Sequence, residues 1–333
     1  MLILGYDDVR QALEGRELDV LAAVRTAYLR HERGSTAVPH SVFLRFPEDE
    51  RNRIIALPAY LGGEQPVAGV KWISSFPGNL QLGLERASAA IILNSMRTGR
   101  PEALLEGSVI SARRTAAGAA LAAATLRAQI PDTGVSLIGC GVINRQVLRF
   151  LRAALPQLET VTLFDLDGDR AAAFARRCAE EEPELKTGIA DRVEEALGAH
   201  PLVCLATTAA VPHLGTEHCR PGGLVLHLSL RDLLPQAVLG AVNVVDDADH
   251  VCRAATSLHL AEQQVGHREF IAGTLGGILA QDRPYQRDGR RVTVFSPFGL
   301  GILDLAVADL VRRAAEAGGH GTSVAGFLAG GAG

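Results

Sequence analysis

Four places in this 333-residue sequence carry residue types whose spacing points to chemistry. The first is Gly139-x-Gly141-x-x-Asn144, which follows the apolar run Val135–Ile138 and opens an amphipathic stretch. That setting, strand then glycine turn then helix, brings backbone N–H groups of residues such as Val142 and Ile143 to a dinucleotide pyrophosphate. Gly139 permits the tight turn, Gly141 lets the backbone approach the phosphates, and Asn144 stands where a third small residue is usual. The next apolar run, Thr160–Phe164, ends in Asp165. An acid there accepts hydrogen bonds from the adenosine ribose and repels a 2′-phosphate, which selects NAD over NADP. Asp167 is a second candidate for that role, and Arg170 leaves room for the phosphorylated cofactor. Thr207 and Thr208, after the run ending at Ala206, would line the same cleft, and Thr115 is assigned to cofactor binding as well. The alternative is a glycine turn that binds nothing.

The second and third places are cationic. Lys71 is one of only two lysines, with Lys186, in a chain holding 33 Lys and Arg. It lies in the apolar run Val67–Ser74, and strand alternation puts it on the face opposite Val70 and Trp72. It is either a lysine snorkelling from a strand edge or a charge kept for a ligand. Arg113 and Arg114 follow Ser111, read as an N-cap, and so fall in a first turn where the helix dipole disfavours cations. Two arginines there suit an anion, since one guanidinium can grip a carboxylate through two hydrogen bonds; otherwise they are surface charges. Arg45 is a third anion-binding candidate. The fourth place is Asp232, just after a strand-like run through His227, where a carboxylate can act as general base or cap a helix from Leu233 onward. His227 itself reads as a packed core histidine.

The elements that must position these residues change character along the chain. Helical spacing over Glu17–Arg33 is followed by β-rich runs at Ser41–Phe46, Arg53–Leu57, Val67–Ser74, Ala89–Asn94 and Glu102–Leu105, with Thr98-Gly99 as a hairpin turn. The alanine-rich stretch 112–128 predicts a linking helix. From Gly134, strands (135–138, 160–164, 201–206, 224–228, 242–245) alternate with helices, the pattern of a parallel sheet with crossovers. A strand at 292–295, a helix over 302–317 and a glycine-rich frayed tail close the chain. The fold class is therefore α/β: a Rossmann-type doubly wound parallel sheet plus an α+β domain.

Composition excludes other classes. The formal charge of −4 and the lack of a basic block argue against nucleic acid and against a polybasic membrane contact. No apolar run reaches the roughly 20 residues of a membrane helix, and the N-terminus MLILGYDDVR lacks a basic n-region. Five scattered cysteines without a C-x-x-C pair read as reduced thiols in a cytoplasm, and no metal site is expected.

Together these stretches resemble the ornithine cyclodeaminase/mu-crystallin family over nearly the whole chain: ALPAYLGG (56–63), GVKW (69–72), SARRTAAGAALAA (111–123), the glycine turn and FSPFGLGILDLA (295–306). Within it, KWISSFPGN (71–79), RASAAIILN (86–94), LEGSVISARRTAA (105–117), IGCGVIN (138–144), HLSLRDLLP (227–235) and HREFIAGTL (267–275) are most similar to the dehydrogenases of 2,3-diaminopropionate biosynthesis, a branch serving siderophores and peptide antibiotics. The resemblance implies residues 1–117 with 296–333 as substrate-binding and dimerisation domain, and 118–295 as NAD-binding domain. It implies carboxylate binding by Lys71 and Arg114, less directly by Arg45, and Asp232 as base. It also implies a homodimer and a small amino-dicarboxylate-type substrate. The reaction implied is NAD-dependent oxidation of N-(1-amino-1-carboxyl-2-ethyl)-glutamic acid, then hydrolysis of the imine to 2,3-diaminopropionate and 2-oxoglutarate. Cyclodeaminases tend to read G-D-C-P-G-K-T-E around their aspartate, whereas here the stretch is Leu230-Arg231-Asp232-Leu233-Leu234-Pro235. Ornithine cyclisation, or a related imine or amino-acid dehydrogenation, is the alternative activity, and a crystallin-like ligand-binding protein the alternative without catalysis.

Overall fold

Alternating burial is what shapes the first of two compact units, Met1–Arg114 with Leu300–Gly333; the second is Thr115–Gly299. The computed structural model describes residues 1–126, 131–281 and 284–328. The expected end of the linking helix at 127–128, and residues 329–333 of the expected frayed tail, lie outside them.

In the first unit β1 (Leu2–Leu4), β2 (Thr36–Ala37), β3 (Val42–Phe46), β4 (Asp49–Leu61), β5 (Val67–Ser75), β6 (Ala87–Asn94) and β7 (Pro101–Glu106) form one mixed sheet with the tail strand Thr322–Ser323. β1 and β7 run parallel and the other pairs antiparallel. Register places Leu57, Lys71, Ile91 and Leu105 side by side on one face. The Gly301–Gly318 helix packs on that face, with Gly301 against Leu57 and Ala59 and Leu305 against Gly69. The opposite face carries Val42, Ala56, Trp72 and Ala90 in register, and there Val42, Leu44 and Trp72 are exposed. A strand with this much apolar character on both faces has two surfaces to cover.

The second unit contains β8 (Gly134–Ile138), β9 (Thr160–Phe164), β10 (Lys186–Ile189), β11 (Leu202–Leu205), β12 (Leu224–His227), β13 (Val242–Val245), β14 (Ile271–Thr274) and β15 (Thr293–Ser296). They pair in the order β10-β9-β8-β11-β12-β15-β13-β14, and every pairing is parallel. The chain winds one way from β8 through β9 to β10, then resumes on the other side of β8 with β11. That reversal between β8 and β11 is the switch point where an open α/β sheet binds ligands at its carboxyl edge. The fold class is the expected one, a doubly wound parallel sheet with an α+β unit.

Three local expectations are corrected. The linking helix begins at Ser108, three residues before the expected cap. Its first N–H groups, those of Ser108 and Val109, donate to the Glu106 carboxylate at 2.6 and 3.1 Å, so Glu106 supplies the cap and Ser111 lies inside the helix. β4 runs over 13 residues rather than five, because pairing with β3 carries its polar start and pairing with β5 carries its end, Pro58–Leu61. Asp232 caps nothing: the helix after it starts at Pro235 with Leu234 as N-cap, leaving the carboxylate to other partners.

Close approach of β5 to β6 depends on Gly69, where an added Cβ would sit 2.1 Å from the Ile92 carbonyl oxygen. Gly69→Ala is therefore expected to cost about 2–3 kcal/mol, read as a lower midpoint in denaturant unfolding. A midpoint unchanged from the parent would show that these strands can part freely.

Candidate active site

Lys71 is buried on β5, and its Nζ donates to Asp304 Oδ2 at 2.7 Å and to Ser111 Oγ at 3.2 Å. Arg114 reaches the other oxygen of the same carboxylate, Nε to Oδ1 at 3.0 Å. Asp304 is fully buried on the Gly301–Gly318 helix, one turn from its start. The cluster thus holds two cations and one anion, a net charge of +1. Burial and the neighbouring Arg114 pull the Lys71 ammonium down to about 8, while Asp304 opposes the shift. Asp304 was not singled out in the sequence, where ILDLA reads as one more amphipathic turn. Its signal is an acid within the apolar opening Gly301–Ala308 of a helix that must pack against the face bearing Lys71.

The structure separates the other two arginines from this cluster. Arg113 is buried, but it donates to the Leu13 carbonyl and pairs with Glu14 at 3.5 Å. With the helix starting at Ser108, it stands in the second turn on a different side from Arg114, and it is a packing cation. Arg45 shares the sheet face of Lys71 but is displaced by four residues along the strands, about 13 Å, through the row Arg45–Arg53–Ser75. Its guanidinium lies over the Phe43 ring, 5.8 Å from the centroid, on the exposed part of β3. Of the four anion-binding candidates, Lys71 and Arg114 meet around one carboxylate, while Arg45 and Arg113 do not join them.

In the second unit the expected residues collect along the carboxyl edge of the parallel sheet. Gly139 has φ +91°, and a Cβ there would fall 2.5 Å from the Ala206 carbonyl oxygen across the switch point. Asn144 is buried and explains its own presence: Nδ2 donates to the Ile138 and Gly139 carbonyls at 3.0 and 2.7 Å, pinning the turn. Gly141 caps the Val142–Ala154 helix without any side-chain hydrogen bond, and no acid lies in its first turn. Val142 is exposed and Ile143 half-buried there. A first turn uncapped by side chains, with Arg170 Nη2 3.6 Å from where a Gly141 Cβ would sit, fits an anionic pyrophosphate. Asp165 accepts from the Cys140 N–H at 2.7 Å and the Asp167 N–H at 3.0 Å, with Arg170 Nε 3.9 Å away. Asp167 instead caps the next helix, accepting from Asp169 and Arg170, so Asp165 is the acid left without a capping role at the end of β9. Thr208 is exposed and Thr115 half-buried in the linking helix.

Asp232 is fully buried and held by three side chains. Thr207 Oγ1 donates to Oδ1 and Ser229 Oγ to Oδ2, while His227 Nε2 lies 3.3 Å from Oδ2. Those hydroxyl and imidazole contacts pull its carboxyl below the usual range against the upward push of burial. The loop that carries it is strained: Leu230 has φ +66°, and the loop bracing it has Ala254 and Ala255 at +53° and +54°. Leu230 O accepts from Ser257 N at 2.8 Å and Arg231 donates to Ala254 O at 2.7 Å. Among the described residues these are the only non-glycine positive φ angles, and such strain collects at functional sites. His227, read as a core histidine, is buried as expected, yet its imidazole faces Asp232.

Removing the shared anion should be costly. Asp304→Asn leaves the buried Lys71 and the half-buried Arg114 with no countercharge between them, and is expected to lose about 3–5 kcal/mol in denaturant unfolding. A loss below about 1 kcal/mol would mean that the pairs behave as surface ion pairs.

The chain is similar to several known proteins over nearly its whole length. The N-((2S)-2-amino-2-carboxyethyl)-L-glutamate dehydrogenase of Staphylococcus aureus is 28% identical over 97% of this chain and 98% of its own length. The Δ1-pyrroline-2-carboxylate reductase of Thermococcus litoralis, solved with NADH and L-proline, superposes with a TM-score of 0.90 at 26% identity, covering 97% of this chain and all of that one. An archaeal alanine dehydrogenase dimer with bound NAD gives 0.88 at 26% identity, covering 98% and 99%. The family model for ornithine cyclodeaminase/mu-crystallin matches residues 5–319, and the chain belongs to that family.

Proposed function

We propose that this chain is an NAD-dependent dehydrogenase that oxidises the secondary amine of N-(2-amino-2-carboxyethyl)-L-glutamate and hydrolyses the imine to 2,3-diaminopropionate and 2-oxoglutarate. The observation that carries this reading is the pairing of functions in one chain: a buried cluster of net charge +1 for a carboxylate, and a buried carboxylate base beside a dinucleotide turn. The Staphylococcus aureus relative, matched end to end, supports the substrate. Unit Thr115–Gly299 is the NAD-binding unit and the other unit binds substrate and a second copy. The exposed face with Val42, Leu44 and Trp72 suits that second copy, and the archaeal alanine dehydrogenase neighbour is a dimer. A reducing cytoplasm suits the five free thiols.

The first-turn N–H groups after Gly141 would hold the cofactor pyrophosphate, and Asp165 the adenosine ribose. NAD, when bound, supplies the hydride acceptor. Lys71 and Arg114 orient the substrate by one carboxylate, with Asp304 holding both in place. Asp232 takes the amine proton as the C–N bond is oxidised, then takes a proton from the water that attacks the imine carbon. A depressed carboxyl suits this base, because it is ionised at neutral pH before the substrate arrives.

A second reading follows from the same charge count. A net +1 cluster needs only one carboxylate, so a monocarboxylate imine such as Δ1-pyrroline-2-carboxylate, reduced by the Thermococcus litoralis neighbour, also fits. Incubating the protein with NAD and N-(2-amino-2-carboxyethyl)-L-glutamate should give NADH at 340 nm and diaminopropionate by mass, in equal amounts. Asp232→Asn should lose both, by about 10²-fold or more, while still binding NAD. Turnover of Δ1-pyrroline-2-carboxylate with NADH, and none of the amino acid with NAD, would replace the first reading by the second.

The position of Lys71 sets a pH dependence. With its ammonium held near 8, the free protein loses that charge as pH rises through 8, about 2.5 units before an ordinary lysine would. KM for the carboxylate substrate should therefore climb above pH 8 and be flat from 6 to 7.5. A flat KM up to pH 10 would remove Lys71 from carboxylate binding.

A further inference from the structure

The base proposed above has to accept two protons in one turnover, one from the amine and one from water. A single carboxylate that keeps the first has no capacity for the second. The surroundings of Asp232 contain a group that could hold the first. His227, at the end of β12, is fully buried. Its Nδ1 is 3.2 Å from Ser296 Oγ on β15. Its Nε2 is 3.3 Å from the Asp232 backbone nitrogen and also 3.3 Å from Asp232 Oδ2.

These contacts give the imidazole partners in two protonation states. As a neutral ring protonated on Nδ1, it donates to Ser296 Oγ and accepts the Asp232 N–H at Nε2. As an imidazolium, it keeps the Nδ1–H···Oγ bond and donates its new Nε2–H to Asp232 Oδ2. Neither state leaves a buried ring nitrogen without a partner, the condition that otherwise makes a buried charge expensive. The hydroxyls sort in the same way. Thr207 Oγ1 accepts from the Ala209 N–H at 3.0 Å, which aims its own hydrogen at Asp232. Ser229 Oγ has a second acceptor in the Leu205 carbonyl at 3.1 Å, so it can turn its hydrogen away when Oδ2 is protonated.

Resting on Asp232 as the base, we infer that His227 is a positioning residue that stores the amine proton between the two halves of the reaction. In the first half the substrate carbon loses a hydride to NAD and the nitrogen loses a proton to Asp232, leaving an imine. Asp232 passes that proton from Oδ2 to His227 Nε2 and becomes a carboxylate again. In the second half Asp232 takes a proton from the attacking water as the new C–O bond forms, and gives it to the nitrogen as the C=N bond becomes single. The stored proton then returns through Asp232 to the nitrogen as the C–N bond breaks, giving the amine its second hydrogen, and the hydroxyl proton is the one released as the C=O bond forms. Every proton taken is accounted for, and the only oxidant is NAD.

The test uses rapid mixing of the full-length protein with NAD and N-(2-amino-2-carboxyethyl)-L-glutamate. His227→Gln places an amide N–H near the Nε2 position, so it can hold Asp232 but cannot carry an extra proton. We expect it to form one equivalent of NADH per site at a rate within about twofold of the parent, then turn over about tenfold or more slowly, with imine trapped by borohydride in that interval. Uniform slowing of both phases, or steady turnover within twofold of the parent, would overturn the storage role. Ser296→Ala, which removes the partner that the imidazolium needs, should show the same split at about fivefold and covers the case in which the Gln variant fails to fold; parent-like kinetics in it would count against storage. Asp232→Asn separates the two ideas: absence of the first NADH phase upholds the base, whereas a normal first phase would sink the base itself, whatever His227 does.

Discussion

A buried carboxylate shared by two cations is the interaction on which the first unit turns. Asp304 sits at zero exposure with Lys71 on one oxygen and Arg114 on the other. Without it, a lysine in the middle of a sheet packed under a helix would either drag water inward or give up its proton. With it, a strand, the linking helix and the last long helix are tied at one point by residues 71, 114 and 304. The three come from distant parts of the sequence, so the helix formed by residues 301–318 must return to the N-terminal sheet before the charge cluster exists. The N-terminal third therefore cannot complete its own cation site.

The second unit solves a different problem, which is to hold a buried carboxylate without a lysine or arginine fixed beside it. Asp232 has hydroxyls and an imidazole, not an arginine, as partners. Dipolar partners stabilise the anion while leaving it able to take a proton, whereas a bidentate guanidinium would hold it ionised. The cost appears in the backbone, where three alanine and leucine residues adopt left-handed conformations to bring the loop against its brace. Asp246, one strand pair further along the edge, shows the contrasting design. It is held by the N–H groups of Asp247, Phe298 and Gly299, with burial pushing its carboxyl upward, and it secures a chain turn.

How much of this was legible in the sequence follows from the range of the interactions involved. The glycine turn, Asp165 and the alternation of strands and helices are local patterns, and the parallel sheet was readable from them. Lys71 was conspicuous because lysine is rare in this chain. What fixes its environment, Asp304, lies 233 positions away and has no local signature. Arg113 and Arg114 are adjacent and chemically identical in the sequence, and only the true start of the helix, set by Glu106, decides which turns toward Asp304. The short strands β1, β10 and β14 have too few residues to show a period. His227 looked like core because it is core; its second partner is five residues on, beyond a left-handed turn that a leucine rarely makes.

The chain contains a single tryptophan, Trp72, which stands directly after Lys71 on the opposite face of the sheet and is 48% exposed. One covalent step therefore separates the carboxylate cluster from a built-in fluorophore that samples the outer surface. Its emission maximum reports wetness at that surface. Whatever settles against the outer strands will shift that emission toward the blue, giving a label-free optical record of surface coverage alongside any measurement of turnover.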